Sequence, residues 1–144
     1  MGGGHAAAQE SWRQARNELE PFLKEQADNY QLIGDMAVTN IALGDKAAAL
    51  ALAQKATATS PLEKDAIDGS AALEYLARVS AQAGEPDRAI TAIQKLLSIP
   101  SGGFCSLGVP LTPALLRLDP MFDPLRNDPR FQKLAAATPK AADK

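Results

Sequence analysis

One cysteine and one histidine are all that 144 residues contain, and these two shortages remove much of the usual chemistry of sites. The single thiol, Cys105, forms no disulfide within the chain, so cysteine usage does not reveal the redox compartment. No His, Lys or Arg flanks Cys105 to lower its pKa, so it reads as an inert loop residue. The lone imidazole, His5, falls in Met1-Gly2-Gly3-Gly4-His5, which reads as an expression leader (residues 1–5) ahead of a segment of a longer chain. Gly102-Gly103 lacks the Lys and Ser/Thr of a phosphate loop. The expectation is no catalytic residue, no metal and no cofactor: a protein that is not an enzyme.

Aromatic residues are only 5% of the chain, and no apolar run approaches the ~20 residues of a membrane helix. The N-terminus lacks the charged and apolar regions of a signal peptide. No membrane insertion is expected. The expected compartment is the cytoplasm, or the periplasm if a parent protein carries an anchor. No charge of one sign prevails, the net charge being −2. Arg117, Arg126, Arg130 and Lys133 make the tail locally basic, but interspersed Asp residues offset them. A nucleic-acid partner is not expected.

What the sequence does have is alanine and leucine in abundance and few β-branched residues, which points to an all-α fold. Residues 6–28 read as one helix with Trp12, Ala15, Leu19, Phe22 and Leu23 on one face and Pro21 inside it. Asp28-Asn29 offers a stop and a new cap. Helices follow at about 30–43, ended by Gly44, and at about 46–59, capped by Asp45. Ser60-Pro61-Leu62-Glu63 has the form of a capping box, which predicts a short extra turn up to Asp68-Gly69. A second pair reads as helices over 70–83, stopped by Gly84, and from Glu85-Pro86-Asp87 to about Ser98. A Gly- and Pro-rich loop covers 101–111. Thr112-Pro113 and three Asp-Pro pairs, Asp119-Pro120, Asp123-Pro124 and Asp128-Pro129, then read as caps of short turns, with a last helix near 129–137. Asp65 and Asp68 likewise read as caps rather than calcium ligands, because the ligand count is too small. Residues 138–144 are expected to be disordered.

The helix pairs repeat one pattern. Gly44, Ala49, Ala53, Ala56 and Pro61 match Gly84, Ala89, Ile93, Leu96 and, at the last position, Ser101 with Pro100 before it. Upstream, Ile33, Met36 and Ala37 match Leu73, Leu76 and Ala77. A shift of about 34 residues, the period of one helical repeat class, places Ala49, Ala53 and Ala56 on Ala15, Leu19 and Phe22. The pattern resembles a tetratricopeptide repeat. It departs from the family where first-helix aromatics give way to Ile33 and Asn40, and to Leu73 and Ser80. It departs again where Gly44 and Gly84 stand farther apart than the ~34-residue period, the excess falling in Ser60 to Gly69. The tail, Leu115 to Phe131, is similar to the C-terminal end of tetratricopeptide regions in large bacterial signalling proteins, where a kinase, cyclase or winged-helix effector precedes the repeats.

The resemblance implies a right-handed α-α superhelix. It would comprise a half repeat (6–29), repeats at 30–61 and 70–101, and a capping tail (112–137) that covers the open apolar end with Met121, Phe122, Leu125, Phe131 and Leu134. It also implies a protein-interaction module whose first helices line a concave groove. Helical spacing then selects Gln31, Gly34, Asp35, Val38 and Ile41 in the first pair and Glu74, Tyr75, Arg78 and Gln82 in the second. In this set Arg78 offers a pair to an acidic partner and Tyr75 a stacking face. The expected partner is a helix or extended segment of another protein. The alternative is self-assembly, a homodimer through Trp12, Leu19 and Phe22.

Overall fold

The computed structural model describes residues 3–99 and 111–137, and among them every regular element is helical. The expected loop at 101–110 and tail at 138–144 lie outside the described residues. α1 spans Gly3–Glu25 and continues through Pro21. α2 (Tyr30–Ala42) starts at Asn29, whose side chain accepts from the amides of Gln31 and Leu32 at 3.1 and 3.3 Å. This is the capping that Asn at that position provides. α3 (Lys46–Thr59) starts at Asp45, which accepts from the amide of Ala48 at 3.2 Å.

α4 is longer than its sequence suggests, spanning Ala66–Ala83. The capping box at Ser60 does not form. Ser60 instead closes α3, and Asp65 caps α4 by accepting from the amides of Ile67 and Asp68 at 2.9 and 3.0 Å. Two N-cap candidates stood five residues apart, and the one adjoining the longer packed helix prevailed. Gly69, read as a stop, is inside α4, where a Cβ would collide with the backbone of Leu62.

α5 (Pro86–Ser98) and α6 (Pro113–Leu118) both open on a proline, and Thr112 caps α6 through the amide of Leu115 at 3.2 Å. A 3-10 turn, Pro120–Leu125, and α7 (Pro129–Ala136) are the last described elements, capped by Asp119 and Asp128, each accepting at 2.9 Å. Asp123 does not cap. It lies inside the 3-10 turn and accepts from Nε of Arg126 at 2.6 Å.

Side-chain contacts fix the directions of the helices. Gln9 near the start of α1 donates to the carbonyl of Ala42 at the end of α2, at 2.9 Å, so α1 and α2 are antiparallel. Tyr30 reaches Asp68 and Asp35 accepts from Tyr75, so α2 and α4 run the same way. Ala49 and Ala53 pack with Ala37 and Val79, whereas Ala56 packs with Ile33 and Ala72, so α3 is antiparallel to both. Three-residue links after Ala42 and two-residue links after Ala83 make these reversals possible. Each contains the glycine expected to turn the chain: Gly44 at φ +87° and Gly84 at φ +81°. A side chain there would be strained.

Small residues set the helix spacing. Ala49, Ala53 and Ala56 are fully buried, which lets α3 lie close against α2 and α4. Gly34 serves the same end, because a Cβ there would fall inside the ring of Tyr75. The larger side chains gather at the C-terminal end. There Leu116, Phe122, Leu125 and Phe131 bury themselves against Ala77, Ala81, Ala89, Ile93 and Leu96 of α4 and α5. The Phe122 and Phe131 rings stand 6.1 Å apart in a tilted pair. Of the five tail residues expected to cover this end, Phe122, Leu125 and Phe131 are buried and Leu134 packs partly against them. Met121 points elsewhere, into the cleft described next.

Candidate functional site

The helix directions leave α1 leaning over one face of α2 and α4, with the 3-10 turn on the far side. Between them lies an open cleft of about 710 Å³, within the range of sites that hold ligands. α1 forms one wall with Trp12, Ala15, Glu18, Leu19 and Phe22. Asp35, Val38 and Thr39 of α2 and Tyr75 and Arg78 of α4 form the floor. Asp119 and Met121 form the opposite wall. Apolar atoms make up most of the lining. α1 buries none of its residues, and Phe22 is 55% exposed and Trp12 36% exposed. Large apolar side chains on a concave wall are costly to leave in water.

The groove residues expected from spacing divide into three sets. Asp35, Val38, Tyr75 and Arg78 meet in the cleft. Gln31 lies outside it, in a separate polar hollow with Tyr30, Asp68 and Glu25. Gly34, Ile41, Glu74 and Gln82 serve internal packing. Gly34 lies under the Tyr75 ring, and Ile41 packs on the Ala37–Ala49–Val79 cluster. Gln82 donates to the carbonyl of Met121 at 2.8 Å. Glu74, expected to face a partner, is 2% exposed and ion-paired with Arg78.

Arg78 already has the acidic partner its position invites. Its Nε and Nη2 donate to Oδ2 of Asp119 at 3.1 and 2.9 Å, its Nη1 reaches Glu74, and its guanidinium carbon lies 5.6 Å from the Phe122 ring centroid. Burial opposes the charge of Arg78. The carboxylates of Glu74 and Asp119 overcome that cost and hold its pKa above the ordinary value. The tail thus closes one end of the groove by an ion pair between α4 and a residue 41 positions later.

On the floor, the Tyr75 hydroxyl donates to Oδ1 of Asp35 at 2.7 Å, and Thr39 donates to the carbonyl of Asp35 at 2.8 Å. The bond from Tyr75 orients the carboxylate while leaving Asp35 exposed. The apolar spacing of the α1 residues marks a face that needs a neighbour but does not assign it to the groove. Trp12, Leu19 and Phe22 carried the signal, but their register against α2 and α4 was not legible.

At the other edge of the α2–α4 contact the Tyr30 hydroxyl donates to Oδ1 of Asp68 at 2.9 Å. Burial first, then the bond to Asp68 and its charge, push the phenol from 10.0 up to about 12. The neutral phenol is the form the fold favours. Its contribution is therefore complete below pH 10 and is lost as pH rises from there towards 12. Wild type is expected to lose stability more steeply than Tyr30→Phe across that window in denaturant titrations. Equal slopes would show that the bond does not favour the protonated phenol.

Among the described residues no helix is long and apolar enough to cross a membrane, and no group of three or more His, Cys, Asp or Glu is placed to hold a metal ion. Comparisons with protein-family models, with curated proteins and with solved structures find no match.

Proposed function

We propose that this domain is a protein-interaction module of tetratricopeptide type, about two and a half repeats in a right-handed superhelix, that binds a peptide or protein segment in the cleft between α1, α2, α4 and the 3-10 turn. The fold reading draws support from the two hairpins turned at Gly44 and Gly84, from the parallel course of α2 and α4, and from the buried alanines of α3. The functional reading rests on one observation: an open, mostly apolar cleft whose wall exposes Trp12 and Phe22. The resemblance of the tail to the ends of such repeat regions supports reading the module as part of a larger signalling or regulatory protein.

Phe22 is the best probe of this reading. Tyr75 is buried and Arg78 is tied into an ion pair, so changes at either disturb packing as well as binding. A photo-crosslinking side chain at Phe22 is expected to trap a partner segment that the same group at exposed Ala51 of α3 does not trap. Equal capture at both positions would contradict binding in the cleft. An adduct of twice the chain mass, together with a dimer in sedimentation, would favour self-assembly through α1.

A further inference from the structure

We infer that the occupant of the cleft is an amphipathic α-helix of another polypeptide with lysine or arginine beside its apolar stripe; this rests on the interaction-module reading above. The helical form follows from comparing equivalent faces. Ala49, Ala53 and Ala56 on α3 are buried between α2 and α4, and Ala89, Ile93 and Leu96 on α5 between α4 and the tail. The corresponding face of α1 carries Ala15, Leu19 and Phe22, and among the described residues no helix covers it in that way. The spacing that accepts a helix on α3 and α5 is thus presented open on α1, with larger side chains. Trp12 to Phe22 spans about 15 Å at the helical rise, enough to seat three turns of a partner helix.

The charge of the partner follows from the lining. The cleft lining carries three carboxylates, Glu18, Asp35 and Asp119, against one guanidinium, Arg78. That guanidinium is committed to Asp119 and Glu74. Among the described residues neither Glu18 nor Asp35 carries an ion pair, and the two line the cleft from different helices, α1 and α2. Glu18 accepts from Gln14 within its own helix at 3.1 Å and Asp35 from the Tyr75 hydroxyl, and both residues are exposed. An acidic partner would meet repulsion from both carboxylates, whereas a cationic flank gains at both.

A display library of stabilised helical peptides, randomised at every outward position, tests this against the whole chain. The enriched pool is expected to be net basic beside an apolar i, i+3, i+4, i+7 stripe and to change Trp12 fluorescence on binding. Glu18→Lys is expected to weaken the selected peptides about tenfold at low salt, the effect shrinking as salt screens it. Phe22→Asp, on an exposed side chain, is expected to abolish binding without unfolding. A pool enriched without basic bias, or insensitive to Glu18→Lys but still lost in Phe22→Asp, would overturn the charge inference and leave the cleft as the site. No enrichment, or peptides that bind Phe22→Asp as well as wild type, would overturn both.

Discussion

Arg78→Met is expected to destabilise the domain by about 3 kcal/mol, the scale of breaking a buried ion pair by removing one partner. The substitution takes the cation away from Glu74, which is 2% exposed. It also releases Asp119, the residue that holds the start of the 3-10 turn against α4. The double variant Arg78→Met with Glu74→Met is expected to recover most of the loss, because two apolar side chains of similar reach fill the site without a buried charge. Asp119→Asn alone is expected to cost less, since Asp119 is only part-buried and Glu74 keeps its cation. Denaturant midpoints at pH 7 measure all three. A double variant as unstable as Arg78→Met would show that Arg78 acts by packing on Phe122 and not by charge.

Phe122→Ala is expected to cost about 4 kcal/mol, in the range for deleting a fully buried aromatic ring. Among the described residues Phe122 is the largest fully buried side chain. It joins the tail to α4 and α5, pairs with Phe131, and lies under Arg78. Its loss is expected to free the tail before the helical hairpins unfold, so limited proteolysis should cut beyond residue 111 first. Leu118→Ala serves as a control: Leu118 is 76% exposed, and its truncation should change stability by less than about 0.5 kcal/mol. A proteolytic pattern in which α1 is cut first in Phe122→Ala would argue against the tail as the cap of the stack.

The elements that local chemistry determines were legible in the sequence. Asn29, Asp45, Thr112, Asp119 and Asp128 cap where their side chains predict, and Gly44 and Gly84 turn the chain at positive φ. These features depend on a few neighbouring residues, so a linear reading captures them. The start of α4 was not legible, because Ser60 and Asp65 both offer acceptable caps and tertiary packing chose between them.

The site shows the same division. Of the residues that spacing on α2 and α4 selects, Asp35, Val38, Tyr75 and Arg78 line one cleft. Spacing also exposed Glu74 and Gln82 on paper, since helical periodicity alone cannot show that the 3-10 turn returns to cover that part of α4. α4 is covered by α2, α3, α5 and that turn, which is why Ser70, Glu74 and Ser80 are buried alongside its alanines. The pairing of Glu18 with Asp35 in one cleft depends on two antiparallel helices, α1 and α2, an arrangement set by contacts such as Gln9 to Ala42.

Amide chemical shifts of the whole chain, followed as a cleft-selected helical peptide is added, test most directly whether the face between α1 and α2 is where this domain meets a partner. Shifts concentrated at Trp12, Leu19, Val38 and Tyr75, with α5 unmoved, are the predicted result. Shifts centred on the outer faces of α3 and α5, with Trp12 and Val38 unmoved, would contradict the account.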